Sequence, residues 1–159
     1  MRSSTGSSVD KVFLDVNIPM YAGGKDHRYK ESCAWIMTRV AEGRLSVATD
    51  TEAIQEILYR YGAIERWETG VAMANNLMQL VPEIYSIDLE DSRCAVGLFQ
   101  AYGPKGIIAP DVLHAAVMMN RGLKEILSRN PHFDLIEGIT RVDPENLFLR
   151  REPNKQLEN

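Results

Sequence analysis

Three acidic residues lie where an α/β protein would place a reactive site, close to the junctions between apolar strands and helices. Asp15 lies inside the apolar run 12–16, Glu56 follows Thr49 by seven residues, and Asp111 opens an alanine-rich stretch. Carboxylate oxygens are the ligands that hard divalent cations such as Mg²⁺ and Mn²⁺ prefer. The three side chains would therefore form a metal site if the fold brings them together.

Each of these acids also has a purely structural explanation. A buried carboxylate in a strand costs several kcal/mol unless it is paired, so Asp15 needs a partner or a capping role. Asp111 follows Pro110 in what reads as a first helical turn, where the helix dipole favours an anion. The helix around Glu56 has an apolar face made of Ile54, Ile57, Leu58 and Tyr61. Glu56 points away from that face, so periodicity alone predicts that it is exposed to solvent.

Short apolar runs alternate with helix-period stretches along the chain. The predicted strands are 12–16, 45–49, 84–87, 125–128 and 139–142, and the predicted helices are 29–42, 51–61, 64–80, 88–102 and 110–120. This alternation indicates βαβ units. We therefore expect a single three-layer α/β/α domain with a mostly parallel sheet of roughly five strands. In such sheets ligands bind beyond the carboxyl ends of the strands, which here means just after Val16, Thr49, Ile108 and Ser128.

The composition indicates one globular domain, since 45% of the 159 residues are hydrophobic and 25% are charged. We assign residues 1–10 to a disordered Ser/Gly-rich leader, 11–150 to the domain and 151–159 to a polar tail. No apolar run reaches the roughly 18 residues of a membrane helix, and no signal pattern is present. Cys33 and Cys94 are interpreted as buried reduced thiols, which favours a cytoplasmic location. The net charge of −4 by itself points away from a general phosphate-binding surface.

The acids belong to a longer pattern that resembles the PIN-domain family and, within it, the VapC-like toxin ribonucleases. The pattern consists of Asp15 with Asn17 two residues on, then Glu56, then Asp111, and then the segment ILSRNPHFD at 126–134. The match runs in order from about residue 12 to 143. The resemblance implies that Asp15, Glu56 and Asp111 are the catalytic, metal-binding carboxylates, with Asn17 supporting them.

One position departs from the family pattern. Asn130 stands where the family often has a fourth acid, so the resemblance places a neutral amide oxygen among the metal ligands there. The Ser128 hydroxyl and the Asp134 carboxylate are additional candidate ligands. With three carboxylates in place of four, we expect a second ion to be held weakly and activity to need a high metal concentration with a preference for Mn²⁺.

The resemblance also implies a function and a set of partners. It predicts an endoribonuclease, dependent on Mg²⁺ or Mn²⁺, that hydrolyses RNA and leaves a 5′-phosphate. It further predicts the toxin of a toxin–antitoxin pair, with a small antitoxin protein as partner. A homodimer is expected from the resemblance and from the many apolar residues in 64–78.

Two other functions remain open at the level of the sequence. The first is a weakly active or inactive PIN-like module that binds partners or regulates them, which Asn130 favours. The second is a haloacid-dehalogenase-like phosphatase, but that class would need a second Asp at residue 17, which is Asn17 here.

The histidines and tryptophans add little at this level. The three histidines have no zinc-ligand spacing, so we interpret two or three of them as ordinary surface or helix residues. We interpret both tryptophans as core or interface residues and not as platforms on which bases stack. These residues are His27, His114, His132, Trp35 and Trp67.

Overall fold

The centre of the molecule is a five-stranded sheet in which every neighbouring pair of strands is parallel. The computed structural model describes residues 11–151, and the predicted leader and most of the predicted tail lie outside them. The strands are β1 (Val12–Leu14), β2 (Val47–Asp50), β3 (Glu83–Tyr85), β4 (Glu125–Leu127) and β5 (Thr140–Val142). Their order in the sheet is β3-β2-β1-β4-β5. The prediction of an α/β protein with five mostly parallel strands is confirmed.

Seven α-helices accompany the strands in the described part of the chain. They are α1 (Asn17–Gly23), α2 (Lys30–Ala41), α3 (Thr51–Ala63), α4 (Trp67–Leu80), α5 (Leu89–Tyr102), α6 (Ala109–Asn120) and α7 (Pro144–Leu149). The predicted N-cap of α5 is confirmed, because Asp88 accepts a hydrogen bond from the Asp91 amide in a reciprocal capping box. Helices α1 and α7 were not predicted, since segments of seven and six residues are too short to show a helical period.

The sheet separates two apolar cores, as expected for three layers. Successive side chains of a strand point to opposite faces, so Leu14 packs in the core beneath α1–α4 and Phe13 packs in the core beneath α5 and α6. Both side chains are almost completely buried. Helix α7 joins the first layer, where Phe148 meets the ring of Trp35 edge to face.

The order in which strands are added to the sheet reverses at the central strand, β1. Strands β2 and β3 follow β1 on one side, and the chain then crosses over to place β4 on the other side of β1. The ends of these strands are tied together, because the Asp15 amide donates to the Leu127 carbonyl and the Thr49 hydroxyl donates to the Leu14 carbonyl, both at 3.0 Å. A crevice at such a switch point is where open α/β sheets bind ligands.

Helix α4 turns its larger apolar side chains to solvent. Trp67, Val71 and Met78, which belong to the apolar stretch behind the expected homodimer, are about half exposed or more. The helix instead buries its smaller side, formed by Gly70, Ala74 and Leu77. Because α4 packs closely against α3 at Gly70, small residues lie between the two helices and the Trp67 ring lies on the exposed side.

No helix among residues 11–151 is long and apolar enough to span a membrane.

Candidate active site

The three predicted carboxylates lie at the carboxyl ends of the central strands. Asp15 follows β1, Glu56 lies in the second turn of α3, and Asp111 lies in the first turn of α6. All three are buried, with 4%, 6% and 4% of their surface exposed, respectively. The prediction from periodicity that Glu56 is exposed is wrong. Its side of α3 faces α6, where a buried polar partner receives the carboxylate.

Hydrogen bonds from the neighbouring strand ends hold Asp15 in place. Its Oδ1 accepts the Val16 amide at 2.8 Å, and its Oδ2 accepts the Ser128 hydroxyl at 2.6 Å. The Asn17 side-chain amide donates to the same Oδ2 at 3.2 Å. The predicted supporting residue and Ser128 therefore both contact Asp15, and Ser128 reaches it from the end of β4.

His114 is the partner that buries Glu56. Its Nε2 lies 2.6 Å from Glu56 Oε1, and its Nδ1 lies 2.8 Å from Asp50 Oδ2. The imidazole is completely buried. The other oxygen of Asp50 accepts the Ala53 amide at 3.1 Å and so caps α3. His114 is the exception among the three histidines, because it joins two acidic side chains that come from β2 and α3.

Both ring nitrogens of His114 face carboxylate oxygens, so both act as donors. Burial alone would lower the pKa of His114, but the Asp50 and Glu56 carboxylates together raise it well above the usual value. The site therefore contains a buried positive charge within a group of acids.

Two signals in the sequence point to these missed residues. His114 lies three positions after Asp111 on the same helix, and residues at that spacing share a face. Asp50 directly follows Thr49, one of the strand ends at which we expected the site.

The side chain of Asn130 lies close to Asp111, but its amide nitrogen faces that carboxylate, whereas the prediction placed the amide oxygen toward the metal. Its amide nitrogen donates to Asp111 Oδ2 at 2.8 Å, whereas its carbonyl oxygen accepts the His132 backbone amide at 3.0 Å. In this orientation the amide is a donor toward the site. Asp134 forms an ion pair with Arg141, its carboxylate oxygens lying 3.1 and 3.0 Å from guanidinium nitrogens.

The charges of the site are unbalanced. Burial is the main cause that raises the pKa of Asp15, and burial together with the neighbouring Asp15 charge raises the pKa of Asp111 to about 7. Asp15, Asp50, Glu56 and Asp111 are all buried here, and His114 is the one buried basic side chain among the described residues. An excess of buried negative charge is relieved by a divalent cation.

The donor atoms fit such a cation. Asp15, Glu56 and His114 each offer one ligand atom, and these atoms lie within 4.8 Å of one another. Nε2 of His114 is already hydrogen-bonded to Glu56. Asp111 lies close enough to this group that, besides burial, the charges of Asp15 and Glu56 raise its pKa.

Comparison with known proteins finds clear relatives in sequence. The chain is 32% identical over 134 residues to the ribonuclease VapC13 of Mycobacterium tuberculosis, which covers 82% of this chain and 98% of the relative. It is 30% identical over 115 residues to the ribonuclease VapC23 of the same organism, covering 72% and 89%. No family model matches the sequence.

Solved structures share the fold at lower identity. VapC20 of Mycobacterium tuberculosis, described as a toxin that cleaves the sarcin–ricin loop, superposes with a TM-score of 0.65 at 14% identity, over 79% of this chain and 94% of that one. The VapBC2 complex of Rickettsia felis, bound to a promoter DNA fragment, contains a chain that superposes with a TM-score of 0.63 at 17% identity, over 82% and 96%.

Proposed function

The chain belongs to the VapC ribonuclease family, and we propose that it is an endoribonuclease, dependent on Mg²⁺ or Mn²⁺, that hydrolyses RNA phosphodiester bonds. The family resemblance seen in the sequence motifs is thereby confirmed. The observation that carries the proposal is the buried group at the switch point of the sheet, where ligand atoms of Asp15, Glu56 and His114 lie within 4.8 Å of one another. Asp111 is buried near enough for the charges of Asp15 and Glu56 to add to the effect of burial on its pKa. The three carboxylates are the residues that the motif pattern marks.

The side chains of the site have distinct tasks in this proposal. Asp15, Glu56 and Asp111 hold the cation, Ser128 and Asn17 fix the carboxylate of Asp15, and the Asp50–His114 pair fixes that of Glu56. A bound divalent cation supplies activation of water and stabilisation of the negative charge that develops on the phosphate. Carboxylates that are already oriented lose little freedom when they bind an ion, which favours binding.

We also propose that the chain acts as the toxin of a toxin–antitoxin pair, with a small antitoxin as its partner. The structural neighbours include VapBC assemblies, which supports this assignment. The exposed Trp67, Val71 and Met78 on α4 are consistent with a homodimer or another protein contact. Cys33 and Cys94 are both free thiols, which supports a cytoplasmic location.

A catalytically weak partner-binding module is the second candidate. Asn130 favours it, since a neutral amide bonds to Asp111 at the position where the family pattern often has an acid. The two functions differ in one measurable property, the hydrolysis of RNA.

We expect the purified protein to cleave a mixed single-stranded RNA pool in millimolar Mn²⁺ and to be inactive in a chelator, with 5′-phosphates on the products. Mn²⁺ should also raise the melting temperature, because a ligand that binds only the folded state stabilises it by about 2.7 kcal/mol at 100 times its Kd. Intact RNA in Mn²⁺, together with equal melting temperatures in Mn²⁺ and chelator, would leave the partner-binding module as the better description.

The Asn130→Asp variant should bind the metal more tightly. The new carboxylate would face Asp111 and add a negative charge to the site, worth about 1 kcal/mol at partly screened distances. The half-saturating Mn²⁺ concentration for RNA cleavage should then fall about five-fold. Asn75→Asp, which adds the same charge at an exposed position of α4, is the control. Equal half-saturating concentrations in wild type and Asn130→Asp would show that residue 130 does not act on the metal.

A further inference from the structure

A cavity of about 310 Å³ opens beside the acidic site, and none of the roles assigned so far uses it. It lies between α1, the loop that follows α1, and the last turns of α3. Its lining includes Asn17, Tyr21, Lys25, His27, Arg60 and Tyr61. Its volume is at the lower end of the range for pockets that hold small organic ligands.

Two lining residues connect the cavity directly to the site. The Asn17 side-chain amide is 3.2 Å from Asp15 Oδ2, and Arg60 Nη2 is 3.7 Å from Glu56 Oε2. A ligand in the cavity therefore lies next to the carboxylates that are proposed to hold the metal.

Aromatic rings form much of the cavity wall. Tyr21 and Tyr61 are half-buried, and the exposed ring of His27 stacks on Tyr21 with a centroid distance of 4.9 Å and an interplanar angle of 27°. Gly70 of α4 packs closely against Tyr61, since a Cβ added at Gly70 would lie 2.9 Å from Tyr61 Cβ. The wall is therefore positioned by the packing of α4, and it offers flat π surfaces.

The charge of the cavity differs from that of the whole chain. Lys25 and Arg60 line it against a single acid, Asp26, whereas the chain as a whole carries a net charge of −4. The Arg60 side chain is half exposed, so its guanidinium is accessible to an incoming phosphate. The cavity thus combines basic groups with aromatic faces, and this is the chemistry that binds single-stranded nucleic acid.

We propose that this cavity binds the base of an unpaired RNA nucleotide adjacent to the scissile phosphate. The base stacks on the rings of Tyr21, His27 and Tyr61, and Arg60 contacts the phosphate on the side of Glu56. The inference rests on the proposed ribonuclease function and adds the subsite that positions the substrate. Since stacking accepts any base, the subsite selects unpaired nucleotides more strongly than it selects sequence.

The test uses a short single-stranded RNA that carries the fluorescent base 2-aminopurine at successive positions, with binding measured in a chelator so that no cleavage interferes. The wild-type protein should quench 2-aminopurine at one position. Tyr21→Leu and Tyr61→Leu should each weaken RNA binding on the order of ten-fold and abolish the quenching. In Mn²⁺ the same variants should raise the KM of cleavage more than they lower kcat. The control is Tyr59→Leu, since Tyr59 is 71% exposed on the same helix and does not line the cavity.

His27→Ala separates an effect on RNA binding from a folding defect, because the His27 ring is exposed and its loss leaves the core intact. This variant should weaken RNA binding several-fold with an unchanged melting temperature. Wild-type affinity in His27→Ala, Tyr21→Leu and Tyr61→Leu together would overturn the proposal, and an absence of quenching at every position would leave a protein segment as the better occupant.

The subsite and the proposed function can fail separately. Quenching and weakened binding without any cleavage in Mn²⁺ would retain a cavity that binds unpaired RNA and reject the nuclease. Cleavage that is unaffected by the cavity variants would retain the nuclease and reject the subsite.

Discussion

Replacing Asp15 by asparagine should lower RNA cleavage by roughly 10³-fold or more while the protein stays folded. A bound cation contributes several kcal/mol of charge stabilisation in the reaction, and each 1.36 kcal/mol is a factor of ten in rate. Asn keeps the size of the side chain and can still bond to Ser128, so the strand ends remain tied together. Rates are compared in single-turnover assays at saturating Mn²⁺.

The metal-free form of Asp15→Asn should be at least as stable as wild type, because one like charge leaves a buried cluster. For the same reason the pKa of Asp111 should fall below its value of about 7, to which the Asp15 charge contributes. Thermal unfolding in a chelator and an NMR titration of the Asp111 carboxyl measure the two effects. Glu90→Gln removes an exposed charge on α5 and serves as the control. Cleavage at the wild-type rate in Asp15→Asn would remove this carboxylate from the mechanism.

Replacing His114 by leucine should have the largest effect on stability. The change leaves the carboxylates of Asp50 and Glu56 buried without their shared partner, and removing one member of a buried ion pair costs about 3–5 kcal/mol. His114→Gln should cost less, since one amide donor replaces one of the two lost hydrogen bonds. The free energy of unfolding is measured in urea at pH 7 in the presence of a chelator.

The same variants separate a positioning role from a merely structural one. If His114 orients Glu56, His114→Gln should bind Mn²⁺ more weakly than wild type at temperatures where both are fully folded. His27→Leu controls for the loss of an imidazole, since an exposed substitution changes stability by about 0.5 kcal/mol at most. Wild-type stability in His114→Leu would contradict the assigned link between Asp50 and Glu56.

The sequence predicts the layers of the fold well, because they follow from local patterns. Strands of β-branched and apolar residues alternating with amphipathic helices leave a parallel sheet as the natural arrangement, and the side chains of Phe13 and Leu14 then have to enter opposite cores. Strand ends also show where a site should lie. Asp15, at the end of β1, and Ser128, after β4, meet there through a hydrogen bond between residues 113 positions apart.

The contacts of His114 with Asp50 and Glu56 could not be predicted from local sequence patterns. A helical wheel records which face of α3 is apolar, but it does not show that the face of Glu56 meets a buried histidine 58 residues away. His114 looked ordinary because α6 is apolar almost all round, and the reason for an imidazole there lies in β2 and α3. Periodicity predicted that Glu56 is exposed, whereas the motif resemblance predicted that it belongs to the site. The resemblance could do so because it compares the set of acidic residues and not the apolar face of one helix.

The central claim is that Asp15, Glu56 and Asp111 hold one divalent ion together, and Mn²⁺ titration calorimetry tests it most directly. Wild type should bind Mn²⁺ with a measurable heat, and Asp15→Asn, Glu56→Gln and Asp111→Asn should each weaken that binding at least about ten-fold, because a carboxylate ligand is lost. Undetectable binding to the wild-type protein, or unchanged affinity in all three variants, would contradict the assignment of a metal to this cluster.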